Sequence, residues 1–258
     1  MQGVNDICCG SCLAPTLESL GDDPRIALDR LASLGFRFVQ LSATQPGLRP
    51  RDLDNSARRD LAVKLRRWEI AASGIDLWIP PAHFVETSNV DRAVDATKAA
   101  IELASDLERC PVSMEFPSAN DDDEVELQAV IAAIAEHAAK FGIQIADHSV
   151  PVSNWQYIGI GIDPAAWLSN KSDPANAIHK NAEQIVSIRL CDLLTSGMRA
   201  PICESQGSQL DIVQYQVAIS VNGYLKPIVI DARQWQDPWT GIAQTANSWS
   251  TLVRQHLN

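Results

Sequence analysis

Several things are missing from this sequence, and each absence removes a class of protein. No stretch approaches the ~18 uninterrupted apolar residues of a membrane span, and the opening MQGVNDICCGSCL lacks the basic region and apolar run of a secretion signal. Positive charge is scarce: 21 Lys and Arg face 32 Asp and Glu, a net charge of −11, which repels nucleic acid and anionic membrane surfaces. No Gly-x-Gly-x-x-Gly turn is present to cradle a dinucleotide. Six cysteines among 258 residues are too few for a disulfide scaffold. Cys8, Cys9 and Cys12 cluster, and Cys9 and Cys12 have C-x-x-C spacing, but no second pair or nearby histidine completes a zinc site. Thiols packed on a first strand or its loop are the simpler reading. No linker, low-complexity tract or charge block divides the chain. The expectation is a cytoplasmic protein of one domain, residues 1–258, partnered by neither nucleic acid nor membrane and compatible with a homo-oligomer.

What is present alternates. Asp23-Pro24 reads as a cap and first helical residue, IALDRLASL as the helix and Gly35 as its stop. FRFVQL follows as a strand, then Asp54 or Asn55 caps SARRDLAVKLRRWEI, and GIDLWIPP is the next strand. The helix NVDRAVDATKAAIELASDL, the strand PVSMEF and the helix EVELQAVIAAIAEHAAKF continue the pattern, with Asp121 to Asp123 supplying negative charge at the last helix start. IQIADH and IGIGID are strands with only Ser149 to Tyr157 between them, too short for an ordinary helical crossover of about a dozen residues. VSIRLCDLL, the helix DIVQYQVAISVNGY, the strand PIVIDAR and a closing helix complete the chain. With a first strand around Asp6 to Cys9, eight βα units predict a (β/α)8 barrel whose fifth helix is shortened or missing. A doubly wound open sheet is the alternative architecture.

VSIRLCDLL carries Arg189 inside an apolar run, where an unpaired guanidinium is very costly. Strand side chains alternate between lumen and helix layer. Val186, Ile188 and Leu190 take the helix side, which turns Ser187, Arg189 and Cys191 inward. The same parity points Glu115, His148, Asp163, Asp231 and Arg233 into the lumen, with Gln40 on the second strand and Trp78 beyond the third. These polar residues gather at the C-terminal strand ends, the face that carries activity in barrels of this type. Arg189 is expected to pair there with Asp163 and Asp231. A structural ion-pair plug is the competing explanation.

From about Ala27 to Val253 the chain resembles the sugar phosphate isomerase/epimerase family with a xylose-isomerase-like barrel. The likeness is carried by LASLGFRFVQLSA, DATKAAIELASDL, IGIGIDPAAW, VSIRLCDLL and GSQLDIVQYQVAISVNGYLKPIVID. The resemblance implies a divalent metal held by a Glu, an Asp, a His and a second Glu, the two glutamates moving protons beside a sugar carbonyl. Carried across, the first Glu falls on Ala146, the Asp on Asp163, the His on Arg189 and the last Glu on Asp231. Another family histidine falls on Ala166, and an acid near the end of the second strand on Gln40. Only Asp163 survives unchanged. Arginine stays protonated and offers no lone pair to a metal.

The expectation is a divergent sugar isomerase or epimerase that takes a small carbohydrate or polyol at the C-terminal face. Asp163 and Asp231 would position or deprotonate substrate, Arg189 would stabilise an enolate oxygen, and Glu115, His148, Arg233, Gln40 and Trp78 would bind the ligand. The alternative is a non-catalytic carbohydrate-binding protein with a degenerate metal site. No cofactor is expected; a divalent metal such as Mn²⁺ or Mg²⁺, if held, would take Asp163, Asp231 and His148 as ligands.

Overall fold

Aspartate at the helix start is this chain's recurring device, because a short carboxylate satisfies backbone N–H groups that the first turn leaves open. Asp23 accepts from Arg25 N ahead of α1 (Pro24–Ser33), and Asp54 from Ser56 N and Ala57 N ahead of α2 (Asn55–Arg67). Asp163 caps α5 (Pro164–Ser169), Asp173 caps α6 (Pro174–Asn181) and Asp211 caps α7 (Ile212–Val221). The other helices are α3 (Val90–Asp106), α4 (Glu124–Phe141) and α8 (Pro238–His256). The computed structural model describes residues 12–118, 124–152, 155–202 and 206–256.

Eight short parallel strands make one sheet: β1 (Leu13–Pro15), β2 (Phe38–Ser42), β3 (Ala71–Asp76), β4 (Val112–Met114), β5 (Ile145–Asp147), β6 (Gly159–Ile162), β7 (Ile185–Leu190) and β10 (Ile228–Ile230). β1 pairs with β10, and each remaining barrel strand pairs with its chain neighbours. A bridge between Thr16 and Gln40, with Leu17 N donating to Gln40 O at 2.9 Å, closes β1 onto β2. The result is the expected (β/α)8 barrel. Its apolar core lies between strands and helices, where Val39, Ile75, Val112, Ile145, Ile160, Ile188 and Ile230 pack outward against helix residues such as Leu31, Ala100 and Ile101.

The lumen is arranged differently. Ser113, Ala146 and Gly159 are register partners across β4, β5 and β6, and Gly161 faces Ser187 on β7. Small inward residues on four adjacent strands leave room for long charged side chains from the others. Arg189 uses that room.

Three expectations need correction. The first barrel strand is Leu13–Pro15; Asp6 to Cys9, like Asp121 to Asp123, lie outside the described residues. VSIRLCDLL is not one strand. β7 ends at Leu190, and β8 (Asp192–Leu193) pairs antiparallel with β9 (Arg199–Ala200) in a hairpin of its own. Asp192 enforces the break, its carboxylate accepting from Leu193 N at 2.7 Å, Leu210 N at 3.0 Å, Gln209 N at 3.2 Å and the Ser208 hydroxyl. Third, Arg189 pairs with Asp76 and Asp231, not with Asp163. The missing fifth helix is as expected: the described residues between β5 and β6 form no helix, and a groove of about 590 Å³ lined by Ala135, Ala139, Ile145 and Tyr157 opens there. None of the described helices is long and apolar enough to cross a membrane.

Candidate functional site

Arg189 is fully buried and crosses the barrel from β7 to β3, on the opposite side of the lumen. Its guanidinium bonds both oxygens of Asp76, Nη1 reaching Oδ2 at 3.4 Å and Nη2 making a close contact with Oδ1. Nη1 also donates to Asp231 Oδ2 at 3.1 Å. Asp231 was expected; Asp76 takes the place foreseen for Asp163. Asp76 is held in turn by Gln40, whose Nε2 donates to Oδ1 at 2.7 Å while its Oε1 accepts from Ser73 Oγ at 2.7 Å. Gln40 is buried and its amide is committed to this support.

Asp163 pairs elsewhere because a third arginine reaches it first. Arg199, on the unforeseen hairpin, donates from Nη1 to Asp163 Oδ2 at 3.0 Å and from Nη2 to Oδ1 at 3.1 Å. The same Nη2 lies 2.7 Å from Asp231 Oδ2 and 3.1 Å from Cys191 Sγ. Arg233 adds bonds from Nε to Asp231 Oδ1 at 2.8 Å and from Nη2 to Asp231 Oδ2 at 2.6 Å and Asp163 Oδ2 at 3.3 Å. Three aspartates and three arginines thus form one network across β3, β6, β7, β10 and the hairpin. Burial alone would push the Asp231 carboxyl up, yet Arg233, Arg199 and Arg189 hold it well below the usual carboxylate range. Burial pushes the Cys191 thiol up, out of the reactive range.

The mouth above the network is less satisfied. Glu115 is half-buried and makes no ion pair among the described residues. Burial pushes its carboxyl up, against the pull of Arg233. His148 is buried with its imidazole over Gly161, and neither ring nitrogen has a hydrogen-bond partner among the described residues. Burial, reinforced by Arg189 and Arg233, lowers its basicity well below the ordinary value, so the ring is neutral. Trp78 lies 6.2 Å from that ring, centroid to centroid, and its Nε1 also lacks a partner. The indole carries Arg233 Cζ at 3.7 Å and Arg189 Cζ at 4.8 Å from its centroid. Guanidiniums therefore occupy indole surface on which a sugar ring would stack.

Among the described residues one group of possible ligand atoms lies within 4.8 Å of one another: Asp163, Cys191 and Asp231, all buried. His148, named with Asp163 and Asp231 in the sequence-based ligand set, does not belong to it. Arg199 Nη2 touches one donor atom of each member, so a guanidinium nitrogen sits where a cation would. Hard cations such as Mn²⁺ and Mg²⁺ ask for more oxygen donors than two carboxylates and a thiol supply. The residues do not fit a metal in this arrangement.

Asp76 and Arg199 were missed by sequence reasoning. Asp76 shares the parity of Trp78 two residues on, which is a usable signal. Arg199 follows the turn Thr195-Ser196-Gly197, where Gly197 adopts a positive φ of 82°, a hairpin mark of moderate strength.

No protein-family model and no curated protein matches this sequence. Solved structures do. A D-tagatose 3-epimerase-like protein superposes with a TM-score of 0.74 at 14% identity, over 95% of this chain and 100% of that one. A xylose isomerase domain protein from Planctomyces limnophilus gives 0.70 at 20% identity, over 95% of each chain. A xylose isomerase-like TIM barrel protein from Mycobacterium smegmatis, in complex with magnesium, gives 0.70 at 12% identity, over 95% of this chain and 97% of that one. The molecule is an α/β barrel with a charged C-terminal mouth. More narrowly, its fold is that of the xylose isomerase-like barrels found among sugar isomerases and epimerases.

Proposed function

We propose that this protein binds a small carbohydrate or polyol at the C-terminal mouth of its barrel, without a resident metal and without metal-dependent isomerisation. One observation carries the reading: Arg199 Nη2 contacts Asp163, Cys191 and Asp231 at once. The guanidinium thereby fills the place that the sequence resemblance assigns to a metal. Asp163 is committed to Arg199 and Arg233, Arg189 to Asp76 and Asp231, and this network forms the floor of the site. Glu115, His148 and Arg233 supply the groups left for ligand hydroxyls: an acceptor, a neutral ring that both donates and accepts, and a donor with 22% of its side chain exposed. Titration calorimetry with a panel of pentoses, hexoses and polyols tests the proposal. Binding should survive EDTA and weaken at least tenfold in Glu115→Gln. Sugar turnover that appears only with added Mn²⁺ would overturn it.

A second reading rests on Glu115, whose carboxyl has no ion-pair partner among the described residues and is pushed up by burial, as a general base is. Metal-free enolisation would use this carboxylate with Arg233 beside the developing charge. Solvent deuterium exchange at the carbon beside a bound sugar's carbonyl, lost in Glu115→Gln, distinguishes it from simple binding.

A further inference from the structure

We propose that the outer face of α7 pairs two copies of this chain across a two-fold axis. Val213, Val217, Val221 and Leu225 are all exposed, Val221 at 72% and Leu225 at 65%. Their spacing of four places the three valines on one helix face and leads on to Leu225 just past its end. The six other large exposed apolar residues are spread over α1, α2, α4 and three turns. The opposite face of α7 buries Tyr215, Gln216, Ala218 and Ile219 against the barrel, so the helix carries apolar residues on both faces, with Gln214 and Ser220 at the edges of the outer one. Such a helix is normally covered on both sides. From Ile212 to Leu225 no residue is charged, although the chain carries a net charge of −11. Over this stretch two copies can approach without bringing like charges together.

Shape and charge select a second copy as the occupant. A cavity of about 590 Å³ opens beside the N-terminal end of α7, lined by Ile202, Leu210 and Ile212 and by Thr251 and Leu252 of α8. Leu225 projects at the other end. An antiparallel two-fold pairing sets Leu225 of each copy opposite Val213 of the other, beside that cavity, and sets Val217 opposite Val221. It also brings Asp211, exposed before the helix with one carboxylate oxygen capping it, near the half-buried Lys226 of the second copy, whose Nζ donates to the neutral Gln144 Oε1 and Val186 O within its own chain and keeps its charge. One surface carries knob and hole, and acid and base, at opposite ends, which is what an isologous interface requires. An interface centred on a single helix is small, and its dissociation constant is expected at ~1–100 μM.

Sedimentation equilibrium from about 1 to 500 μM tests the proposal, a span set to bracket that range. The wild-type protein should pass from monomer to dimer mass. Val217→Asp and Leu225→Asp should each raise the dissociation constant at least tenfold while leaving circular dichroism and thermal midpoint unchanged. Val63→Asp, an exposed valine on α2, should leave dimerisation as it was. A wild-type protein that stays monomeric at every concentration overturns the pairing and leaves the face to a different protein. A dimer that persists in both α7 variants also overturns it, because its interface then lies elsewhere. Neither result bears on ligand binding at the barrel mouth.

Discussion

Replacing Arg189 with methionine keeps most of the side-chain volume and removes the charge, and the structure says which partner suffers. Asp231 retains Arg199 and Arg233. Among the described residues Asp76 retains only the Gln40 amide at 2.7 Å, so a buried carboxylate at the tip of β3 is left without a counter-charge from them. Breaking one side of a buried ion pair typically costs about 3–5 kcal/mol. For a protein of this size that corresponds to a fall in thermal midpoint of roughly 6–20 °C. Urea unfolding followed by tryptophan fluorescence measures the loss directly. The partner claim is tested by a double-mutant cycle. Arg189→Met with Asp76→Asn should recover most of the loss, because the uncharged asparagine amide still accepts from Gln40. Arg189→Met with Asp231→Asn should recover far less, since Asp76 stays uncompensated and Arg199 and Arg233 are left to share Asp163 alone. If Arg189→Met alone loses under about 1 kcal/mol, or if the two double variants recover equally, Arg189 is not the strut described here.

The mouth gives three further expectations. The Glu115 carboxyl is pushed up by burial, so the stability it contributes is present in acid and lost as pH rises through its folded-state value; Glu115→Gln should raise the thermal midpoint at pH 7 and have little effect near pH 4. His148 is held neutral by burial and by Arg189 and Arg233, so the wild type should lose stability as pH falls below its ordinary value of 6.5, and His148→Asn should flatten that part of the curve. A Cβ on Gly161 would meet the His148 ring at 2.4 Å, so Gly161→Ala should destabilise by about 1–3 kcal/mol, a loss that His148→Ala relieves; an unchanged unfolding midpoint would place the imidazole elsewhere.

Much of this architecture was legible before folding. The βα alternation gave the barrel, the Ser149–Tyr157 gap gave the absent helix, and the aspartates before Pro24, Pro164 and Pro174 marked helix starts through local chemistry. Lumen parity brought Arg189, Asp231, Asp163, Arg233 and His148 to one end, because a strand's period of two survives any error in register elsewhere. Two kinds of information were not local. Leu13–Pro15 is too short and contains a proline, so it shows no alternation, and only pairing with β10 defines it. The choice of partner for Arg189 depends on which carboxylate lies across the lumen, and on Arg199 having claimed Asp163 from a hairpin anchored by Asp192. Asp76 sits in GIDLWIPP, where an acid between apolar residues reads as readily as a turn residue as a buried one.

An arginine nitrogen held between Asp163, Cys191 and Asp231 leaves no room for a metal, and Mn²⁺ binding is the measurement that decides it. Protein stripped with EDTA and dialysed against excess Mn²⁺, then passed through a desalting column, should carry far less than one metal per chain by elemental analysis. Calorimetric titration should show no saturable heat. One Mn²⁺ per chain, abolished by Asp163→Asn, would show the opposite: Arg199 would then have to leave Asp163, Cys191 and Asp231 in solution and give them up to a cation.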